Sequence, residues 1–260
     1  MRLKNNIQFL LILVILISCQ KKKTSSKNTN KEEEAWSYSG ESGPEHWAEL
    51  EKNSECGGKF QSPINIISIN AKIDSQLNSL DIHYEKSTKI HSVKNNGHSI
   101  QYNFEKGDYI NYKNECFNLK QIHFHESSEH TIDGVRYPLV IHMVHANSTG
   151  EYLVLAIMAK EGKTSIPFEF LESFLPLEKG EVKKINKPFN LNHNLPLNRG
   201  YYSYTGSLTT PPCTEGVKWF IFKEPITISV EQVNILKTLM PVNNYRKEQP
   251  LNGRKIQMTE

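Results

Sequence analysis

The chain has 260 residues, 37% of them hydrophobic, and a formal charge of +3 from 31 Lys plus Arg against 28 Asp plus Glu. That length can bury a full core and suits one large domain. The near balance of charge argues against a nucleic-acid partner, which calls for a concentrated basic face. Short apolar runs among many Asn, Ser, Thr, Tyr and Ile favour strands over long helices.

At the N-terminus Arg2 and Lys4 precede an apolar stretch, residues 9–17, and then Ser18 and Cys19. A positive start, a short apolar run and small residues before a cleavage point predict a secretory signal over 1–18. Nine apolar residues are too few to span a bilayer, which takes about 20. "LISC" is similar to bacterial lipoprotein signals, in which the cysteine, here Cys19, is lipidated and becomes the first residue. Loss of Arg2 and Lys4 would lower the charge from +3 to +1. Residues 19–35 hold no large apolar side chain and predict a solvated linker to a domain over 36–260. The expected location is outside the cytoplasm, on the periplasmic or cell-surface side, with the lipid as membrane anchor. Export permits disulfides. With Cys19 on lipid, Cys56, Cys116 and Cys213 remain, so at most one bridge forms and one thiol stays free. Spacing leaves the pairing open.

From Trp36 onward there is no second linker and no internal repeat. Alternating segments predict strands over 99–104, 119–125, 139–145, 152–160 and 217–223. Turn signals separate them: Asn95-Asn96-Gly97, Lys106-Gly107-Asp108, Asp133-Gly134 and Ser148-Thr149-Gly150. Helices are expected around 167–175 and 230–239. For the second, Ser229 can cap, Gln232 can complete a capping box, and Val233, Leu236 and Leu239 or Met240 recur at helical spacing. The fold class is mainly β (α+β): a large, mostly antiparallel sheet with short peripheral helices.

"QIHFHESSEHTIDGVRYPLVIHMVH", residues 121–145, gathers five of the ten histidines. In a strand, residues two apart share a face. His123 and His125 therefore point one way and Phe124 the other. On the later strand His142 shares a face with Val140 and Val144, and His145 lies opposite with Leu139, Ile141 and Met143. Either His142 or His145 can complete a set of three on this argument, and not both. His130 lies in the connecting turn and reads as an ordinary hydrogen-bonded residue. Three neutral imidazoles with no thiolate suit Zn2+, and three protein ligands leave the open position of a catalytic site.

Taken together, "GPEHW" (43–47), "QSPINI" (61–66), "NNGH" (95–98), "QIHFHESSEH" (121–130), "HMVHAN" (142–147), "SLTTPP" (207–212), "VKWFIFKEPI" (217–226) and "NYRKEQPL" (244–251) resemble the α-class carbonic anhydrases, of a secreted or lipoprotein bacterial type. The likeness runs from Trp36 to Gln249. It implies a twisted central sheet of about ten strands and a Cys56–Cys213 disulfide, which leaves Cys116 free. It implies His123, His125 and His142 as zinc ligands, with His145 structural. The implied reaction is the reversible hydration of carbon dioxide to bicarbonate and a proton, by attack of zinc-bound hydroxide. Thr209 would orient that hydroxide with its own proton committed to Glu129, and Thr210 would steer bicarbonate or solvent. Val144, Val154, Leu208, Val217 and Trp219 would form an apolar wall for carbon dioxide. His98 would shuttle protons through waters ordered by Tyr38, Asn96 and Gln101. Gln121 and the Asn244 carbonyl would hold His123 and His125. Sulfonamides and anions are expected inhibitors. At Val140, however, the family usually has a glutamate, the partner of the ligand two residues later. Two other readings stand beside this one. "HFHESSE" fits a cupin pattern with Glu129 as a ligand, although Phe117 and Arg136 stand where cupins want glycines. A non-catalytic relative used as a binding module would usually lack a zinc histidine, and none is missing.

Overall fold

The computed structural model describes residues 36–50, 54–77 and 79–260. The expected signal, linker and lipidated Cys19 lie outside the described residues. Fifteen strands run along the described chain: β1 (Asn65–Ile66), β2 (Lys72–Ile73), β3 (Asp81–His83), β4 (Thr88–Asn95), β5 (Ile100–Phe104), β6 (Tyr109–Tyr112), β7 (Glu115–His125), β8 (Thr131–Ile132), β9 (Leu139–Ala146), β10 (Tyr152–Glu161), β11 (Val182–Phe189), β12 (Tyr201–Ser207), β13 (Glu215–Phe222), β14 (Ile226–Ile228) and β15 (Gln257–Met258). All five predicted strands are present. The main sheet has ten strands along one path, β11-β4-β5-β7-β9-β10-β13-β12-β15-β2, with β3, β6 and β14 paired beside it. Most neighbours are antiparallel, and β10 runs parallel to both β13 and β14. That pairing follows from the long excursion between β10 and β13, because a hairpin joins only antiparallel strands.

The two faces of this sheet bury different things. A short helix, α1 (Trp47–Leu50), precedes the sheet, and Ile122, Phe124, Ile141, Met143, Leu155 and Ile157 pack beneath two later helices, α2 (Ile166–Glu172) and α3 (Val230–Leu239), against Phe168, Leu171 and Leu236. Truncating a fully buried aromatic such as Phe124 to alanine costs about 3–5 kcal/mol. The opposite face carries Val140, Val144, Val154, Ala156, Trp219 and Tyr204. A register shift in β7 between Leu119 and Gln121 separates two phases of its alternation. Phe117 and Leu119 therefore lie with Ile122 and Phe124 on the helix-covered face, and Gln121, His123 and His125 are free to face the other way.

The Ser229 side chain accepts from Gln232 N, and the Gln232 side chain accepts from Ser229 N, so α3 starts on the expected capping box. Helix α2 starts with Ser165 as its cap and ends at Glu172, short of the expected 175. Pro176 explains the early end, since the residue before a proline avoids helical backbone.

Candidate active site

Strands β7 and β9 run side by side with His123 opposite His142 and His125 opposite Val140. One nitrogen from each of His123, His125 and His142 lies within 4.8 Å of the others, the one such group of His, Cys, Asp or Glu among the described residues. Burial holds the pKa of His123 and of His142 well below the ordinary histidine value, and the neighbouring His125 adds to it. Both rings are therefore neutral at pH 7, as a metal ligand must be. His145 points into the helix-covered core instead. Its Nε2 meets the Tyr84 hydroxyl at 2.7 Å and its Nδ1 the Met143 carbonyl at 3.1 Å. The choice that strand parity left open falls to His142.

The outer nitrogens fix the tautomers. His125 Nδ1 lies 2.5 Å from the Asn244 carbonyl, which can only accept, and His123 Nδ1 lies 3.0 Å from Gln121 Oε1. Both Nδ1 atoms therefore carry protons, and both Nε2 atoms present lone pairs. Those two Nε2 atoms are 3.0 Å apart. Two converging lone pairs repel each other unless a cation lies between them, so the residues fit a zinc ion. His142 Nδ1 lies on the same side, 3.8 Å from Glu129 Oε2, which is itself 3.5 Å from His125 Nε2. His142 Nε2 points away and is buried with no hydrogen-bond partner among the described residues. This is the consequence of Val140, where no acceptor stands.

Glu129 is fully buried, and its Oε1 accepts from Arg246 N at 3.0 Å. Burial raises its pKa, opposed by His125, by the hydroxyl of Thr209 as a hydrogen-bond donor and by Arg246. Thr209 thus lies beside the carboxylate as expected. Arg136 holds the Glu129 loop by donating to the Ser128 and Glu129 carbonyls and by an ion pair with Glu248. Val144, Val154, Val217 and Trp219 are buried together on the histidine face, with Leu208 packed against them. The five residues read as an apolar wall are thus brought together on one face.

His98 sits at the turn between β4 and β5. Asn96 Oδ1 accepts from the backbone N–H of His98 and of Ser99, and Gly97 takes a φ of +84° that favours glycine. The half-buried ring stacks on Trp36 at 3.7 Å, with Tyr38 at 6.3 Å. Burial and the Lys179 cation lower its pKa. Asn96 Nδ2 reaches Gln101 Oε1 at 3.5 Å, and Gln101 stands opposite His123 in the sheet. Gln101 thus links the His98 turn to the strand that carries His123.

Cys56 and Cys213 are bonded across 157 residues, and Cys116 is free and exposed. Cys213 N donates to the Thr210 carbonyl at 2.8 Å, which ties the disulfide to the turn that carries Thr209. Arg246 extends this brace and had no role in the sequence reading. Its guanidinium donates to Gln61 Oε1 at 2.7 Å, to the Ser62 carbonyl at 3.0 Å and to the Cys56 carbonyl at 2.9 Å. His130 is hydrogen-bonded, as expected, and also lies beside the site. It is buried against Trp219, its Nε2 lies 2.7 Å from the Tyr204 hydroxyl, and its ring adjoins that of His142. Its place directly after Glu129 was the one available signal.

Sheet and site together define a large β-sheet protein with a three-histidine cluster suited to a metal ion. The sequence model for eukaryotic-type carbonic anhydrases matches residues 42–260. A carbonic anhydrase of Pectobacterium atrosepticum is 37% identical, with 85% of this chain and 89% of the relative covered. One from Klebsiella pneumoniae is 39% identical with the same coverage. The solved α-carbonic anhydrase of Thermovibrio ammonificans, in complex with the inhibitor sulfanilamide, is 41% identical. It superposes with a TM-score of 0.82 over 86% of this chain and 98% of its own. This chain belongs to the α-class, or eukaryotic-type, carbonic anhydrase family and is an enzyme of that family.

Proposed function

We propose that the chain catalyses the reversible hydration of carbon dioxide to bicarbonate and a proton with zinc held by His123, His125 and His142. The observation that carries this reading is the pair of Nε2 lone pairs converging at 3.0 Å, each fixed by an acceptor on its own Nδ1. Zinc in such a site lowers the pKa of water to about 7, a value known for carbonic anhydrases as a class. The protein's part is then positioning. The Glu129 carboxylate accepts a hydrogen bond from the Thr209 hydroxyl, so Thr209 Oγ is left to accept from the attacking oxygen and aim its lone pair. The wall of Val144, Val154, Leu208, Val217 and Trp219 offers uncharged carbon dioxide an apolar surface beside the ligands. Thr210, half-buried at the end of that wall, steers bicarbonate or solvent. His98 passes the product proton to bulk solvent, and its lowered pKa favours that release.

The Thermovibrio relative binds sulfanilamide. By the same chemistry a sulfonamide anion should bind this site, and simple anions should compete with it. No observation favours the cupin or binding-module readings. The test is zinc content followed by stopped-flow carbon dioxide hydration with and without a sulfonamide. One zinc per chain with sulfonamide-sensitive hydration is expected. A zinc-loaded chain without hydration would make it a binding module.

Residues 1–35 carry a second part of the proposal: export, lipidation at Cys19 and a membrane-anchored domain on the periplasmic or cell-surface side. Cys19→Ser should abolish lipid labelling and release soluble, active domain. Labelling that persists in this variant overturns the anchor.

A further inference from the structure

Two buried histidine nitrogens are left without partners among the described residues, His142 Nε2 and His130 Nδ1. Their rings adjoin, with centroids 6.4 Å apart and planes at 73°. Both rings pack against Trp219, at 5.0 Å and 4.6 Å. The question is whether these nitrogens donate or accept.

For His142, Nδ1 faces the other ligands. A neutral imidazole bound through Nδ1 carries its proton on Nε2, so Nε2 donates. For His130 the direction follows from a chain of hydroxyls. Ser62 Oγ already accepts from Ser207 N at 3.0 Å. Its one other contact among the described residues is the Tyr204 hydroxyl at 2.7 Å, and Ser62 is fully buried. Ser62 must therefore donate to Tyr204, because a buried hydroxyl proton does not go unpaired without cost. Tyr204 then donates to His130 Nε2 at 2.7 Å. That leaves the His130 proton on Nδ1, so this nitrogen donates as well.

Two N–H donors thus stand on adjoining buried rings, and the same-face residue on the strand of His142 is Val140, fully buried and unable to accept. A water there could satisfy both donors, but its own two protons would then need acceptors, and these side chains provide none. A small anion only accepts. We propose that His142 Nε2 and His130 Nδ1 form a buried site for a small monovalent anion such as a halide or formate. The bound anion would fix the His142 tautomer and slow the loss of zinc. This rests on the zinc reading above, since His142 donates from Nε2 when Nδ1 is a ligand.

The direct test is a crystal of the zinc-loaded protein grown in sodium bromide, with data collected at the bromine absorption edge. An anomalous peak touching both nitrogens is expected, and no peak there overturns the site. In solution, zinc release to dipicolinate should be about 10-fold slower in sodium bromide than in sodium sulfate of equal ionic strength. Val140→Leu fills the position with an apolar chain and should abolish that difference while zinc remains bound. Bromide acting at the zinc itself would preserve the difference in Val140→Leu, which overturns the proposal. If Val140→Leu does not fold, Val140→Glu serves in its place. Its own carboxylate should make release slow in both salts, and a bromide effect equal to the parent's overturns the proposal again. A chain that takes up no zinc overturns the zinc reading and this one together. Zinc-loaded protein without bromide at the pair overturns this one alone.

Discussion

The proposed zinc ligands on β7 and the proposed ligand on β9 are supported differently. His123 and His125 each rest an outer nitrogen on an acceptor, one a side-chain amide and one a backbone carbonyl. His142 rests its outer nitrogen on nothing among the described residues. His125 and His142 are equally buried, yet only His125 has an acceptor behind it, so burial alone does not prepare a ligand. What differs is one side chain, Val140, which stands opposite His125 and can accept no proton. The comparison separates two jobs that a metal site needs done. The sheet brings nitrogens together, and the hydrogen bonds behind them decide which nitrogen of each ring presents a lone pair.

The largest break would come from removing a ligand. His123→Ala should lose zinc and reduce hydration to background, measured by metal analysis and stopped flow, and retained zinc would point to a different ligand set. Next comes Thr209→Ala, expected to keep zinc and lose roughly 10²-fold in kcat, as for the loss of one preorganised polar partner. Full activity there would remove Thr209 from the mechanism. The comparison itself is sharpened by a matched pair. Gln121→Ala should speed zinc release to dipicolinate by about 10-fold or more, and Val140→Glu should slow it by a similar factor. Circular dichroism controls for folding. If both variants release zinc at the parent's rate, the outer hydrogen bonds do not govern zinc retention. A smaller effect is expected at His98. His98→Ala should slow turnover in weak buffer and recover with added imidazole, and insensitivity to buffer would exclude it as the shuttle.

The last prediction uses His145, the histidine that the site does not take. Burial holds its pKa down to about 3 in the folded protein. The unfolded chain takes up this proton near pH 6.5, and the folded one does not until far lower pH. Unfolding therefore binds a proton between these values, and stability falls as pH falls through that window, by about 1.4 kcal/mol per pH unit. His145→Gln should flatten the slope of unfolding free energy between about pH 6 and pH 4, and an unchanged slope would assign the acid sensitivity elsewhere.

The period-two rule placed His123 and His125 on one face and Phe124 on the other, because side-chain direction in a strand is set by the backbone alone. The Ser229 and Gln232 capping box was legible for the same reason, since its bonds close within four residues. The family likeness supplied the Cys56–Cys213 pairing and the choice of His142. Only the tertiary structure shows the physical ground for that choice: the face of β9 that carries His145 is the one covered by α2 and α3. Register did the rest, setting His123 opposite His142 and moving Leu119 out of phase with Gln121, and no local pattern announces a bulge. Arg246, the stacking of Trp36 on His98 and the chain from Ser62 through Tyr204 to His130 were beyond sequence reasoning for the same cause. Each joins residues tens to nearly two hundred positions apart, and a contact of that range exists only once the sheet has brought both ends together.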